Sequence, residues 1–560
     1  MYGPQNLVSE QVHHDKHRIQ GELFYDAMRR ISGHLCDPNG HRAALDSILL
    51  GHRFLPAGRI QSSVGNLKDV TAYNCFVSGI LQDSMQSIML RATQAAETMR
   101  RGGGIGYDFS RIRPRGDRIV SLDSSASGPV SFMGIFDAVC QTIMSAGHRR
   151  GAMMATLRID HPDIMEFIRA KQNTDKLKNF NISVLVTDDF MYCLEDGHTF
   201  PLIFEGRVYS EVDPTVLWDE IMKSNWDYAE PGVLFIDAIN EDNNLNYCEE
   251  ISSTNPCAEQ PLPPWGACLL GSFNLVKYLN LDSRRFNWSL LKKDIPQIVR
   301  MMDNVIDRTT YPHPEQEKEA KAKRRMGLGI TGLANAGNYL GYRYGDQDFI
   351  KFTKKVCQVL RDESYRASSL LAGEKGSFPM YKEKLYMESR YIERLPDSVK
   401  ESIRENGIRN SHLTSIAPTG TISFTADNVS SGIEPVFALS QARTYRSEVG
   451  ETVVNIPDYG MSYLGVAGDT VEDLDTDAHL RVLLACTPYI DSSISKTTNV
   501  GGGVTYEEFK DIYSKAWRGG SKGCTTYRPA GKREGILKSL DTPEGAACFI
   551  DEATGQKECS

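Results

Sequence analysis

From about residue 71 onward, short apolar runs alternate with longer stretches whose apolar residues recur at helical spacing. This alternation limits the folds open to the chain more than any other feature. "NISVLVT", "PLIFEG" and "GVLFIDAIN" read as strands, and "SLLKKDIPQIVRMMDNVIDRTT" reads as a helix. The order favours an α/β architecture. Residues 1–70 read as an N-terminal helical region, with "GELFYDAMRRISGHL" and "ALDSILLGHRFL" carrying apolar residues at helical intervals. Residues 71–530 form the α/β body. Beyond 530 the pattern weakens, and 531–560 is expected to be a flexible tail that carries Cys548 and Cys559. With 560 residues, 41% of them apolar, the chain has ample material for a buried core.

The formal net charge of −9 argues against nonspecific nucleic-acid binding, which relies on clustered Lys and Arg. No run approaches the roughly 18–20 apolar residues that span a bilayer, and the first twenty residues are polar. A soluble cytoplasmic protein is expected, with neither nucleic acid nor membrane as a partner. The 12 cysteines are scattered without a CxxC pair, which fits neither a secreted disulfide scaffold nor a zinc site. "GLGITG" (327–332) lacks the preceding apolar strand of a dinucleotide fingerprint and reads as close helix–strand packing. "RRGGGIGYDF" (100–109) lacks the ending of an NTPase phosphate loop. "HHDKH" (13–17) reads as a solvated helix start, and "EQEKEAKAKRR" (315–325) as a solvated helix face.

"TNPCAEQPL" (254–262) carries the chemistry. In an extended chain, side chains at i, i+2 and i+4 point the same way, so Asn255, Cys257 and Glu259 would face one space. A thiol flanked by an amide and a carboxylate is a candidate reaction centre. Two further cysteines stand in distinctive contexts, Cys75 in "AYNCFVSGILQDSMQSI" and Cys268 in "ACLLGSFNL". "APTGTIS" (417–423) places Pro418, Thr419, Gly420, Thr421, Ile422 and Ser423 in a short turn. Leading into a helix, such a turn exposes backbone N–H groups that can hold phosphate.

With these segments the chain resembles the catalytic subunit of ribonucleotide reductase from about residue 50 to about 530. The likeness includes "RFLPAGR", "NCFV", "SGPVSFMGIFDAV", "HRRGAMMATLRIDHPDI", "NPCAEQPL", "ACLLGSFNL", "RMGLGITGLA", "APTGTIS", "SGIEPVFAL" and "KGCTTYRP", in matching order. The resemblance implies a ten-stranded α/β barrel with Cys257 on a finger loop through its centre. It implies reduction of ribonucleotides, as di- or triphosphates, to 2′-deoxyribonucleotides for DNA synthesis. A Cys257 thiyl radical would take the 3′ hydrogen, Glu259 would act as base on the 3′-OH, and Asn255 would orient the sugar hydroxyls. Cys75 and Cys268 would protonate the leaving 2′-OH and end as a disulfide, which requires Cα atoms about 4.4–6.8 Å apart. Cys548 and Cys559 are candidates for the tail pair that passes electrons from a thioredoxin- or glutaredoxin-type reductant. They are spaced more widely than the family's usual pair.

The resemblance also implies a radical source. No glycyl-radical segment is visible near the C-terminus. "GCTTYRP" has Tyr527 followed by Arg528, where a relay from a separate metal-containing subunit would use two adjacent tyrosines. "NPCAEQPL" and "KGCTTYRP" look most like the adenosylcobalamin-dependent branch, so that cofactor is expected. The oxygen-dependent, two-subunit form is the alternative, and a non-catalytic nucleotide-binding paralogue is a third reading. By resemblance, a nucleoside triphosphate effector would bind at a homodimer interface. Asp83 would hold its ribose, and Arg149 and Arg150 in "SAGHRRGA" would reach its phosphate or base. An ordinary basic surface loop is the other reading of that segment. Overall control by ATP and dATP through an added N-terminal module is not expected.

Overall fold

The computed structural model describes residues 2–38, 40–120, 122–145, 149–172, 176–447, 450–501 and 503–528, and the strand pieces 538–539, 549–551 and 556–558. Three helices open the chain: α1 (Leu7–His17), α2 (Phe24–Leu35) and α3 (His41–Leu50). On α2 the buried apolar residues are Phe24, Ala27, Met28, Ile31 and Leu35, one face at helical spacing. The "HHDKH" reading needs correction, because His13 and His17 are both buried. "ALDSILLGHRFL" is a helix only as far as Leu50. Gly51 closes it with its N–H on the Ser47 carbonyl, and His52 turns the chain at φ 53°.

Among the described residues ten strands form one sheet. They are β1 (Phe54–Pro56), β2 (Cys75–Val77), β3 (Gly104–Asp108), β4 (Met153–Arg158), β5 (Phe180–Val186), β6 (Gly232–Phe235), β7 (Ala267–Asn274), β8 (Met326–Thr331), β9 (Thr497–Asn499) and β10 (Gly523–Tyr527). β2 to β6 run parallel in sequence order, with helices such as α4 (Met85–Arg100) between them. At one end β2 meets β7 antiparallel, and β7 is parallel to β8. At the other, β6 meets β10 antiparallel, and β10 is parallel to β9. β7 and β8 are buried along their whole length, as near-continuous apolar runs in a covered sheet should be. "PLIFEG" does form a strand, but in a separate hairpin of Phe200–Phe204 with Arg207–Val212.

β8 also bonds to an irregular segment. The N–H of Met326 donates to His412 O (3.1 Å), that of Leu328 to Leu413 O (2.8 Å), and that of Ser415 to Leu328 O (3.0 Å). Ile416 N–H in turn donates to Ser493 O (3.1 Å), Ile416 O accepts from Ser495 N–H (2.8 Å), and residues 492–495 lead directly into β9.

Helix α5 (Trp288–Arg308) packs on α2 and α3, and α6 (Pro314–Lys323) follows it. The "EQEKEAKAKRR" reading fails at its end. Glu319, Lys323, Arg324 and Arg325 are buried. Arg325 pairs with Glu319 (2.7 Å), Lys323 with Glu249 (2.8 Å) and Arg324 with Asp303 (2.8 Å). Buried charges persist only when paired in this way.

"GLGITG" is β8 itself, and its glycines make room. A Cβ on Gly327 would stand 2.6 Å from Gln260 Nε2, and one on Gly329 2.4 Å from Ser415 O. The same holds in "RRGGGIGYDF", where a Cβ on Gly104 would meet Pro256 at 3.1 Å and one on Gly106 would meet Thr254 O at 1.8 Å. At Gly104, Gly106 and Gly327 the crowding object is a hairpin, Ser253–Thr254 paired antiparallel with Pro261–Leu262, lying against the sheet. Thr156 Oγ1 of β4 donates to Ser252 O (2.9 Å), Asn181 Nδ2 of β5 to Pro256 O (2.9 Å), and Ser415 Oγ to Glu259 O (2.8 Å).

Gly106→Ala is therefore expected to displace the hairpin. It should destabilise the protein by about 1–3 kcal/mol, as overpacking does, and raise amide hydrogen exchange in 253–262. Gly134→Ala, at an exposed helical site with nothing within 4 Å of the added Cβ, is the control. It should leave stability unchanged or slightly raised on thermal unfolding.

Candidate active site

Asn255, Cys257 and Glu259 do come together, but not by strand alternation. Residues 255–258 form a β-turn, with Ala258 N–H on Asn255 O at 3.0 Å and Ala258 left-handed at φ 65°. The alternation argument is corrected accordingly. Asn255 is the hub of the turn. Its Oδ1 accepts from Gln260 N–H (2.9 Å) and Thr254 Oγ1 (3.2 Å), which fixes the amide's orientation. Its Nδ2 then donates to Glu259 Oε2 (2.8 Å) and to Cys75 Sγ (3.3 Å). The Cys75 thiol donates to Glu259 Oε1 at 3.9 Å, a long contact. Asn255 and Glu259 are each only 2% exposed.

Cys75 of β2 and Cys268 of β7 are directly opposed partners in the antiparallel ladder. Opposed residues share a face, with Cα atoms about 4.5–5.5 Å apart. That lies inside the window a disulfide needs. Both are buried and both are free thiols. Burial pushes the Cys75 thiol well above its ordinary range, and Glu259, Cys268 and Cys257 add to the effect. Burial raises Cys268 as well, opposed by Arg325. Both are thus protonated near neutral pH and able to give up hydrogen. Burial raises the Glu259 carboxyl to about 7 against the bond from Asn255, leaving it poised between acid and base.

Cys257 is half-buried and faces a cavity whose wall includes Asn181, Pro418, Glu434, Lys496 and Cys524. Pro418 opens the turn 417–423, so this turn and Cys257 border one space. Thr419, left-handed at φ 58°, precedes the short helix α7 (Gly420–Phe424). Its Oγ1 bonds Thr331 Oγ1 (3.0 Å) and accepts from Gly432 N–H (2.7 Å). Thr421 is half-buried. Ile422 is buried, and Ser423 Oγ bonds Ser431 Oγ (3.0 Å).

Among the described candidates, Asp83 is not on this cavity's wall. Asp83 precedes Ser84, the N-cap of α4, and is ion-paired with Arg113. The backbone of Arg149–Arg150 pairs with Met144–Ser145, while the two arginine side chains lie outside the described residues. Cys548 and Cys559 also lie outside them.

Sequence reasoning gave Glu434 and Lys496 no role. They form a buried ion pair on the cavity wall, with Glu434 Oε1 accepting Thr497 N–H (2.8 Å) and Lys496 Nζ within 2.9 Å of His479 Nδ1. The available signal was a lone glutamate inside the apolar run "SGIEPVFAL". Cys524, in a matched segment, also lines the cavity. Burial pushes its thiol up to about 12.

A family model described as "Ribonucleotide reductase, barrel domain" matches residues 73–527. The chain is 34% identical over 531 residues to the vitamin B12-dependent ribonucleoside-diphosphate reductase of Mycobacterium tuberculosis, covering 89% of this chain and 72% of that protein. It is 35% identical over 493 residues to the vitamin B12-dependent ribonucleoside-diphosphate reductase of Thermoplasma acidophilum, covering 83% and 62%. To the vitamin B12-dependent ribonucleotide reductase of Streptomyces coelicolor it is 27% identical over 553 residues, covering 83% and 57%.

The Glu259 carboxyl is expected to titrate near pH 7, read as the protonated-carboxyl infrared band that Glu259→Gln removes. Asn255→Ala deletes a bond that holds this pKa down, so the titration should move to higher pH. Because the folded-state pKa lies above the ordinary 4.5, the stability this group contributes is present below 4.5 and is lost as pH rises through about 7.

Proposed function

Because this chain belongs to the ribonucleotide reductase family, we propose that it replaces the 2′-hydroxyl of a ribonucleoside diphosphate by hydrogen, with adenosylcobalamin as its cofactor. The diphosphate and the cofactor follow the names of its relatives. The reading is carried by the thiol group: Cys75 and Cys268 oppose each other on paired strands, and Cys75 bonds to the hairpin whose turn holds Cys257.

When bound, adenosylcobalamin supplies the radical that removes the hydrogen atom of the Cys257 thiol. The residues that would face such a group are those beside the half-buried Cys257 on the cavity wall, polar at Asn181, Ser183 and Lys496 and apolar at Met154 and Val233. The Cys257 thiyl then takes hydrogen from C3′. Glu259 accepts the 3′-OH proton, and its pKa near 7 suits both taking and returning it. Asn255, with Oδ1 fixed by the backbone, orients the sugar hydroxyls. Cys75 gives its proton to the 2′-oxygen, which leaves as water. Cys75 and Cys268 together supply two electrons and close to a disulfide, the second thiol hydrogen of the pair goes to C2′ in place of the departed hydroxyl, and Glu259 returns its proton to the 3′-oxygen. The hydrogen held on Cys257 returns to C3′, restoring the thiyl.

The phosphates would sit on the N–H groups of 419–422, since Pro418 has none and that of Ser423 bonds Thr419 O. What supports a closed barrel is the bonding of β8 to 412–415 and of Ile416 to 493–495, next to β9. What supports a central finger loop is the anchoring of the hairpin by Thr156, Asn181 and Ser415. We place an effector at Asp83, Arg149 and Arg150 on a homodimer, and re-reduction by a thioredoxin-type protein through Cys548 and Cys559. Among the described residues no helix is long and apolar enough to cross a membrane, consistent with a cytoplasmic enzyme.

The test is incubation of the purified chain with a ribonucleoside diphosphate, dithiothreitol and adenosylcobalamin. Deoxynucleotide should form without any second subunit. Cys257→Ser should lower turnover by at least about three orders of magnitude, as removal of a reacting group does, with nucleotide binding retained. Turnover by Cys257→Ser would remove the catalytic assignment, and a need for a metal-containing partner protein would remove the cofactor.

A further inference from the structure

The turn read above as the phosphate site leads into a helix of five residues, too short to fix its own position. Its entry is held by Thr419 on Thr331 and Gly432. Its exit is unusual: Asp427 and Asn428 are consecutive non-glycine residues in left-handed conformation, at φ 66° and 59°. Such residues persist only where their surroundings over-determine them. The surroundings here come from the other end of the chain. Gln5 N–H and Asn6 N–H both donate to Asp427 Oδ1, at 2.7 and 2.9 Å. Ser9 Oγ donates to the carbonyl of Phe424, the last residue of α7, at 2.8 Å. Val8 and Val12 pack with Phe424 and Ile456 in a small apolar cluster of their own. Asn428 Nδ2 donates to Pro457 O (3.1 Å), which ties down the far side.

We propose that residues 5–12 form a clamp that positions the phosphate-binding turn, with Asp427 as the positioning residue through which the clamp acts. The proposal rests on the reading of 418–423 as the phosphate site. Asp427 touches no substrate. It holds the exit of α7, and so the direction in which the N–H groups at its entry point. The side-chain oxygen matters here, and the charge does not. Asparagine offers the same acceptor and tolerates the left-handed backbone, whereas alanine offers neither.

Dissociation constants of the full chain for a ribonucleoside diphosphate and for the matching uncharged ribonucleoside, with KM and kcat, test this. Asp427→Ala should weaken diphosphate binding about tenfold, roughly the worth of one hydrogen bond. Nucleoside binding and kcat should stay near wild type. Asp427→Asn should restore diphosphate binding, and Ser9→Ala should weaken it by a smaller factor in the same direction. Equal loss for both ligands, equal loss in Asp427→Asn and Asp427→Ala, or no loss in Asp427→Ala would each overturn the clamp. If Asp427→Ala does not fold, Ser9→Ala decides, and wild-type diphosphate binding by it overturns the clamp. Gly420→Val, at the turn itself, separates the two ideas. Intact diphosphate binding there refutes the phosphate site. Lost binding there with Asp427→Ala unaffected refutes the clamp alone.

Discussion

The hairpin 253–262 lies so close to the sheet that backbone atoms occupy space where strand side chains would ordinarily stand. A Cβ on Gly106 would overlap the Thr254 carbonyl at 1.8 Å, one on Gly104 would meet the Pro256 ring and one on Gly327 the Gln260 side chain, while Gly329 is crowded by Ser415 O from a separate segment. Glycine in a strand interior usually weakens it. Here the loss is offset by the hydrogen bonds that Thr156, Asn181 and Ser415 give the hairpin. Those bonds also help satisfy the carbonyls of Ser252, Pro256 and Glu259, the last of which takes Ser493 N–H as well. Everything chemical in the molecule follows from this close approach, because it is what brings Asn255 and Glu259 onto the thiol of Cys75.

Burying a carboxylate so deeply would be costly were it ionised. The observed arrangement avoids most of that cost by keeping the group close to neutral. Glu259 is raised to about 7, and the thiols of Cys75 and Cys268 are raised as well. The two thiols are protonated and the carboxyl stands near half-protonation, a buried set able to exchange protons at little electrostatic cost. The cavity wall uses the opposite solution: Glu434 and Lys496 are paired with each other, and Glu434 takes a backbone N–H besides. Arg325 belongs to a third solution, a network with Glu249 and Glu319 that ends β7's neighbour strand in compensated charge.

Much of this was legible in the sequence. The buried strands read as apolar runs because both of their faces are covered, and α2 read as amphipathic because one face is not. The proposed reacting residues were legible through segment likeness more than through pattern. The alternation argument put Asn255, Cys257 and Glu259 on one strand face, whereas a turn holds them. Nothing in "NPCAEQ" announces that an alanine turns left-handed, since that conformation is imposed by the hairpin's anchors on β4, β5 and residue 415. The same cause hid the meaning of "GLGITG". Its glycines answer to Gln260 and Ser415, which no local window contains. Glu434 and Lys496 escaped because 62 positions separate them and neither has a partner nearby in sequence.

The site draws on segments near 75, 257, 268, 420, 434 and 496, and only the sheet's register brings them into one place. Successive side chains on a strand face opposite sides. A slip of one residue between β2 and β7 would leave Cys268 opposed to Asn74 or Phe76 in place of Cys75. The two thiols would then face opposite sides, and no local rearrangement could restore the pair. The bond from Asn255 Nδ2 to Cys75 Sγ would be lost in the same step. Chemistry and fold are therefore linked through backbone pairing as well as through side chains. The entirely buried β7, bonded on one edge to β8 and on the other to β1 and β2, is the element that fixes this register.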